Sequence, residues 1–108
     1  MKKERVKQEV NYDITSGDKI FEPVEFTGQN KISIQIEYSN FNANTSQIIV
    51  EHRLGNKFDS LDATATLIAA DGTHTIFIGG LLTDTLRLKF VKNTLTTGVI
   101  NTIHYLFD

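Results

Sequence analysis

The residues of this chain that could do chemistry are three histidines and several aspartates. His52, His74 and His104 stand 22 and 30 residues apart, without the close pairing that places two imidazoles on one metal ion. Calcium takes oxygen ligands, but the aspartates lack the spacing of an EF-hand loop. They fall in predicted turns and loops: Asp59, Asp62, Asp71 and Asp84. We therefore expect ordinary histidines, turn-forming aspartates, and neither a metal site nor another cofactor.

Covalent catalysis finds equally little support in the residue pattern. No Gly-x-Ser-x-Gly elbow is present, and Gly79 and Gly80 are not followed by the spacing of a phosphate-binding loop. With no cysteine, disulfides, thiolate zinc sites, iron–sulfur clusters and cysteine nucleophiles are all excluded. The sequence predicts no catalytic residue, and we expect that the protein is not an enzyme.

Binding to another protein is the chemistry that the charge distribution favours. Residues 1–9 carry a net charge of +2 and leave -4 for the rest of the chain. The positive side chains of this basic arm are candidates for contact with a partner: Lys2, Lys3, Arg5 and Lys7. The alternative is a solvated, frayed terminus.

One aromatic residue is a second candidate for partner binding. Phe41 lies among asparagines in a predicted loop, where its ring would be exposed; alternatively, it folds back and caps the core. Sugar-binding sandwiches present Trp and Tyr rings on a surface, whereas this chain has no Trp and three Tyr. A bound glycan therefore stays a secondary expectation.

The elements that must position these residues are β-strands. The 108 residues suffice for one domain, and 13 Thr, 12 Ile and 6 Val stand against only 5 Ala and 6 Glu. The clearest strand spans 31–38, where isoleucines and a tyrosine alternate with polar residues. Ile20, Val24 and Phe26 are predicted to share one face of a segment that Pro23 makes an edge strand or bulge.

The second half of the chain predicts further strands. Segments 63–69 and 74–78 are expected to form a hairpin around Asp71 and Gly72, and Leu81 with Leu82 to plug the core from a loop. The last strand is predicted at Val99–Phe107. About eight strands without helical periodicity predict an all-β fold, an antiparallel β-sandwich of jelly-roll or immunoglobulin-like type. The predicted organisation is a basic arm, 1–9, followed by a single sandwich domain, 10–108.

Charge and hydropathy bear on location and on partners. A net charge of -2 argues against a nucleic-acid binder that depends on phosphate contacts. Apolar runs are far shorter than the roughly 20 residues that span a bilayer, so no membrane segment is expected. The charged N-terminal sequence has no following apolar stretch and does not read as a signal peptide, so synthesis in a cytoplasm is expected.

Five segments of the C-terminal half follow one another in a distinctive order. They are an aromatic-containing loop at 56–61, a Thr-rich strand and turn within 64–78, an apolar plug at 80–81, an arginine-bearing strand at 86–90 and a polar turn leading into the last strand at 96–100. In this order they resemble small β-sandwich virion proteins of tailed bacteriophages, such as capsid decoration, head-fibre and tail accessory proteins. Phe58 stands where a Trp is frequent in such loops.

The resemblance implies a non-enzymatic structural protein located in a virion. It would bind capsid or tail subunits, and a homo-oligomer is compatible with that role. In that role the basic arm, with residues 10–14, either adds a strand to a neighbour's sheet or lies on an acidic capsid surface. The alternative function is a non-catalytic carbohydrate-binding module.

Overall fold

Alternating apolar and polar residues fold this chain into strands that bury one face each. The computed structural model describes residues 3–67 and 72–108. Its strands, in chain order, are β1 Glu4–Asp13, β2 Lys19–Ile20, β3 Val24–Glu25, β4 Ile32–Ser39, β5 Gln47–Arg53, β6 Phe58–Thr66, β7 Gly72–Ile78, β8 Thr85–Val91 and β9 Val99–Phe107. A 3-10 turn, Ile14–Ser16, follows β1. In the described part of the chain, no helix has the length and apolar character needed to cross a membrane.

The strands form two antiparallel sheets packed face to face. Sheet 1 has the order β1-β9-β4-β7, and sheet 2 has the order β2-β8-β5-β6, with β3 also paired to β8. β2 and β3 are two short pieces on one edge of β8, so the sandwich has eight strand positions. In an immunoglobulin fold the first and last strands lie in different sheets. Here β1 pairs with β9, and the arrangement is a jelly roll.

The core lies between the two sheets and is built by the alternation of each central strand. On β4, Ile32, Ile34 and Ile36 are buried, while the residues between them face outward. Leu88 on β8 of sheet 2 is fully buried across the core from them, and Phe107 on the neighbouring strand β9 is fully buried beside them. Burial of such side chains contributes roughly 1.5–3 kcal/mol each, which stabilises a chain without disulfides. The strands predicted at 31–38 and Val99–Phe107 are confirmed.

The predicted hairpin between segments 63–69 and 74–78 is wrong. β6 pairs with β5 in sheet 2, whereas β7 pairs with β4 in sheet 1. The chain therefore crosses between the sheets after β6, and Asp71, the predicted turn residue, lies outside the described residues. Alternation identifies a half-buried strand but carries no information on which strand lies beside it. The hairpin that does form joins β5 to β6 through residues 54–57.

The boundary drawn after residue 9 is also wrong. Residues 4–9 belong to β1, which pairs with β9 from Glu4 opposite Phe107 onward. Val6, Val10 and Tyr12 face inward and pack against the core, while the charged residues between them face outward. The segment is interpreted from sequence as a basic arm because charged residues, which face outward, alternate with its inward residues.

Two further details differ from the predictions. Ile20 is 48% exposed and does not share a face with the buried Val24 and Phe26, because the strand is interrupted between β2 and β3, around Pro23. The edge position predicted from that proline is confirmed. Leu81 is buried as predicted, but Leu82 is 92% exposed and does not enter the core.

Candidate functional site

Two of the basic residues predicted to bind a partner, Arg5 and Lys7, lie on one side of β1. Arg5 and Lys7 face outward from the edge of sheet 1, and Lys3 just before the strand is exposed. Lys2 lies outside the described residues. Lys7 is 3.2 Å from the carboxylate of Glu9, but both side chains are exposed, so this pair adds little stability and leaves the lysine accessible.

Phe41 is not available to a partner. Its ring is only 5% exposed and packs against Tyr38, with ring centroids 4.6 Å apart. The loop is tied down by Asn42, whose side-chain oxygen accepts hydrogen bonds from the backbone N–H groups of Thr96 and Thr97 at 3.0 and 3.2 Å. The prediction of an exposed ring is therefore wrong, and the alternative, a ring that caps the core, is confirmed.

The three histidines lie on three different strands. His104 lies on the outer face of sheet 1 with its Nε2 3.3 Å from Glu37 Oε2, while His74 and His52 lie on β7 and β5. Among the side chains that the structure describes, no three of the His, Asp and Glu type are grouped to hold a metal ion.

One acid has a local structural role. The carboxylate of Asp13 accepts hydrogen bonds from the backbone N–H of Thr15 at 3.0 Å and from its hydroxyl at 2.8 Å. These bonds cap the 3-10 turn after β1 and lower the pKa of Asp13, because they favour the ionised carboxylate. The carboxylate of Asp13 therefore stabilises the turn that follows β1.

Two of the inward tyrosines of sheet 1, Tyr12 and Tyr105, are structural as well. The Tyr12 hydroxyl donates to the carbonyl oxygen of Gly17 at 2.6 Å, and the Tyr105 hydroxyl donates to Gln8 Oε1 at 3.2 Å. Burial, followed by the nearby carboxylate of Asp18, raises the pKa of Tyr12. Burial alone raises the pKa of Tyr105 well above its ordinary range. Both hydroxyls therefore stay protonated at neutral pH.

The outer face of sheet 1 carries a regular pattern of side chains. The strand registers align its side chains in three rows, which run Arg5, Leu106, Ser33, Phe77, then Lys7, His104, Gln35, Thr75, then Glu9, Thr102, Glu37, Thr73. Positive charge lies at the β1 end and an aromatic ring at the β7 end. One shallow depression lies between the first two rows and another lies on the far side of the first row, and Ser33 and Leu106 line both. Such a surface can bind a protein or a sugar by complementarity.

Phe77 is the feature of this face that sequence reasoning missed. Its side chain is 76% exposed, and it is the one aromatic ring largely open to solvent among the residues that the structure describes. The sequence signal was present but ambiguous, because the run Ile76, Phe77, Ile78 is apolar on both faces of a strand. Sheet pairing decides that Ile76 and Ile78 face inward and that Phe77 faces solvent.

The outer face of sheet 2 carries a cluster of charge and aromatic contacts. Arg87 Nε lies 2.7 Å from Glu51 Oε1, and the Arg87 guanidinium lies 3.9 Å from the centre of the Phe58 ring. The Arg53 guanidinium stands 5.5 Å from the same ring centre. Phe58, predicted in a loop, is the first residue of β6, and its ring is engaged by the two cations. The cluster links β5, β6 and β8.

Comparison with known proteins gives similarity in structure alone. No protein-family model matches the sequence, and no curated protein does. The structure is similar to the C-terminal CBM6, a carbohydrate-binding module, of a marine laminarinase from Zobellia galactanivorans. The TM-score is 0.59 at 11% identity, over 94% of this chain and 98% of that one.

Two proteins of assemblies are also similar to this chain. One forms the disulfide-linked pili of Bacillus endospore appendages, with a TM-score of 0.54 at 11% identity over 99% of this chain and 90% of that one. The other belongs to the infectious bursal disease virus Gx strain, with a TM-score of 0.52 at 8% identity over 98% of this chain and 32% of that one. The fold is a jelly-roll β-sandwich. Identities this low show the fold alone, because one fold hosts many functions.

Proposed function

We propose that this chain is a non-enzymatic structural protein of a bacteriophage virion that binds neighbouring subunits through the outer face of sheet 1. The observation that carries the proposal is the form of this face, where flat rows of outward side chains from four strands carry charge at one end and an exposed ring at the other. The motifs that resemble virion sandwiches and the similarity to proteins of a virus and of pili support it.

Assembly by this chain would be non-covalent. The Bacillus pili are disulfide-linked, whereas this chain contains no cysteine. Subunits would therefore be held by surface complementarity, and charged side chains at the rim would steer encounter more than they would add affinity. Arg5 and Lys7 are placed for this at the positive end of the face.

The test removes that charge without removing the strand. The double variant Arg5→Gln, Lys7→Gln is added to candidate capsid particles, and occupancy is measured by imaging, with light scattering for the oligomeric state. We expect reduced occupancy relative to the wild type, with a weaker dependence on ionic strength. The control is Lys89→Gln, Lys92→Gln, which removes two positive charges from and beside β8 in sheet 2. A wild-type protein that stays monomeric and binds no particle would contradict the proposal.

A carbohydrate-binding module is the second candidate function, and the exposed ring of Phe77 favours it. Sugar rings stack on open aromatic faces, and Ser33, Gln35 and Thr75 supply hydrogen-bonding groups nearby. A glycan array with Phe77→Ala as the test variant addresses this function. Leu82→Ala is the control, because Leu82 is exposed but lies outside this face. Glycan binding that Phe77→Ala abolishes would support the module; an array without signal would count against it.

A further inference from the structure

The four edges of the sandwich are protected to very different degrees. An exposed strand edge offers unpaired N–H and C=O groups to any extended chain, and charge, proline, bulges and shortness are the usual protection. β1 carries Glu4, Arg5, Lys7 and Glu9. The opposite edge of sheet 2 consists of the two-residue strands β2 and β3, with Pro23 between them.

The two remaining edges, β6 and β7, also differ in how well they are protected. β6 has an irregular register between Val50 and Glu51 of its partner strand and exposes Asp59. β7 has none of these devices: Gly72–Ile78 contains no proline and no acidic or lysine or arginine side chain, and its pairing with β4 is regular over all seven residues. Among the described residues no strand pairs with its other side, which we call the β7 edge.

Side chains around the β7 edge are also only partly covered. Thr73, Thr75 and Phe77 face solvent on the outer side. Ile76 and Ile78 face the core side but are only half-buried, although fully buried isoleucines occupy the corresponding positions of β4. A strand added beside β7 would cover this residual apolar surface and satisfy the backbone groups together.

We propose that the β7 edge pairs antiparallel with the β7 edge of a second copy and joins the two copies of sheet 1 into one continuous sheet. This inference rests on the proposed structural role and adds to the outer face of sheet 1 a second contact, between two copies of the chain. The pairing is isologous, since the same strand serves on both sides of a two-fold axis, and it closes as a dimer. A seven-residue strand is about 24 Å long, which predicts a small interface and a concentration-dependent equilibrium.

The register follows from length and from the faces of the strand. Centring the two-fold axis on Thr75 pairs all seven residues and keeps inward side chains beside inward ones. Thr75 then lies opposite its own counterpart, and Phe77 lies opposite Thr73 of the other copy on both sides of the axis. Pairs of an aromatic with a β-branched residue stabilise antiparallel strands. His74 lies opposite Ile76, so the strand brings no like charges together.

Pairing with β7 of a second copy fits this edge better than pairing with β1 of a second copy. Pairing of β7 with β1 of another copy would leave a free β1 and a free β7 at the two ends and would continue into an open filament. It would also lay the charged residues of β1 beside an edge that offers no opposite charge. Self-pairing has neither consequence, and filaments or a monomer are the outcomes that would contradict it.

Cysteine trapping tests both the contact and its register in a chain that has no cysteine of its own. Thr75→Cys places one thiol on the two-fold axis, and Thr102→Cys places one on the same face of sheet 1 but on β9. Under mild oxidation we expect a disulfide-linked dimer of Thr75→Cys on a non-reducing gel and none of Thr102→Cys. Direct opposition in an antiparallel pair brings the Cβ atoms to about 4.5–5.5 Å, from which small shifts allow the bond.

Charge substitution provides the second measurement. Thr75→Lys sets two ammonium groups opposite each other, and we expect the dissociation constant of the dimer to rise at least about tenfold. Thr73→Lys faces Phe77 instead and should have a smaller effect, while Thr102→Lys should have none. Circular dichroism of each variant confirms that it is folded, and light scattering across a concentration series gives the constants.

The outcomes separate this inference from the proposed function. If the wild type assembles but Thr75→Lys leaves assembly unchanged and Thr75→Cys gives no cross-linked dimer, the β7 contact is wrong while the structural role stands. If the wild type is monomeric at every concentration, the β7 contact is wrong and the imaging of capsid particles decides the role alone. Cross-linking at position 75 together with loss of the dimer in Thr75→Lys supports the contact.

Discussion

Phe41 lies directly against the backbone of Gly98, and this contact fixes how the loop caps the core. A Cβ added at Gly98 would overlap the Phe41 ring at Cδ1 and would lie 2.8 Å from its Cε1. The φ of Gly98 is +141°, which L side chains rarely adopt. The position therefore requires glycine for two independent reasons.

We expect Gly98→Ala to lower the free energy of unfolding by about 2 kcal/mol or more, from overpacking and backbone strain together. Denaturant titration of the variant beside the wild type measures the change. Gly55→Ala is the matched control, because no atom lies within 4 Å of its added Cβ, and its stability should stay within about 0.5 kcal/mol of the wild type. Equal stabilities of the two variants would contradict the contact with Phe41.

The burial of Tyr105 leads us to expect that the free energy of unfolding falls at alkaline pH. Its burial raises the pKa of the folded state above the ordinary value near 10. Between these two values the unfolded chain releases the proton while the folded one retains it, so stability is intact below pH 10 and declines as pH rises above it. The decline from this group is at most about 1.4 kcal/mol per pH unit. Tyr105→Phe should show a shallower slope above pH 10 in unfolding titrations, whereas equal slopes would show that the hydroxyl is not shielded.

At the scale of the element, Arg87 joins three strands of sheet 2. Its guanidinium lies on the Phe58 ring of β6 and bonds Glu51 of β5 at 2.7 Å, and both ionic groups are mostly buried. Arg87→Lys keeps the charge but loses the planar group that stacks on the ring. We expect a loss of about 1 kcal/mol in the free energy of unfolding. Lys89→Arg on the same strand is the control; no difference between the two variants would contradict the stacking.

Strands could be predicted from the sequence more completely than their partners. The isoleucines of β4 alternate with polar residues and mark a half-buried strand without reference to anything else in the chain. Pairing depends on loops that pass between the sheets, and a segment such as 74–78 carries no signal for β4 over β6. The residues of the candidate site are predicted least well, because the exposure of Phe77 and the burial of Phe41 both depend on residues distant in sequence.

For the whole molecule, the charge asymmetry belongs to a strand of the fold. Residues 1–9 carry the net charge of +2 that marked them as an arm, yet residues 4–9 pair with β9 and bring Val6 to the core. The same segment thus has two roles that a truncation would confuse. Its inward residues stabilise the sandwich, and its outward residues, Arg5 and Lys7, present charge to a partner.

Deletion of residues 1–9 should therefore destabilise the whole domain. The deletion exposes the edge of β9 and uncovers core side chains, and we expect Tm to fall by about 10 °C or more in a domain of this size. The double variant Arg5→Gln, Lys7→Gln should keep Tm within a few degrees of the wild type, because exposed ion pairs contribute little. Thermal unfolding followed by circular dichroism compares the two. A deletion variant as stable as the wild type would mean that the segment is not part of the folded domain. Loss of capsid binding in that variant could then be attributed to the missing charges, because the fold would be intact.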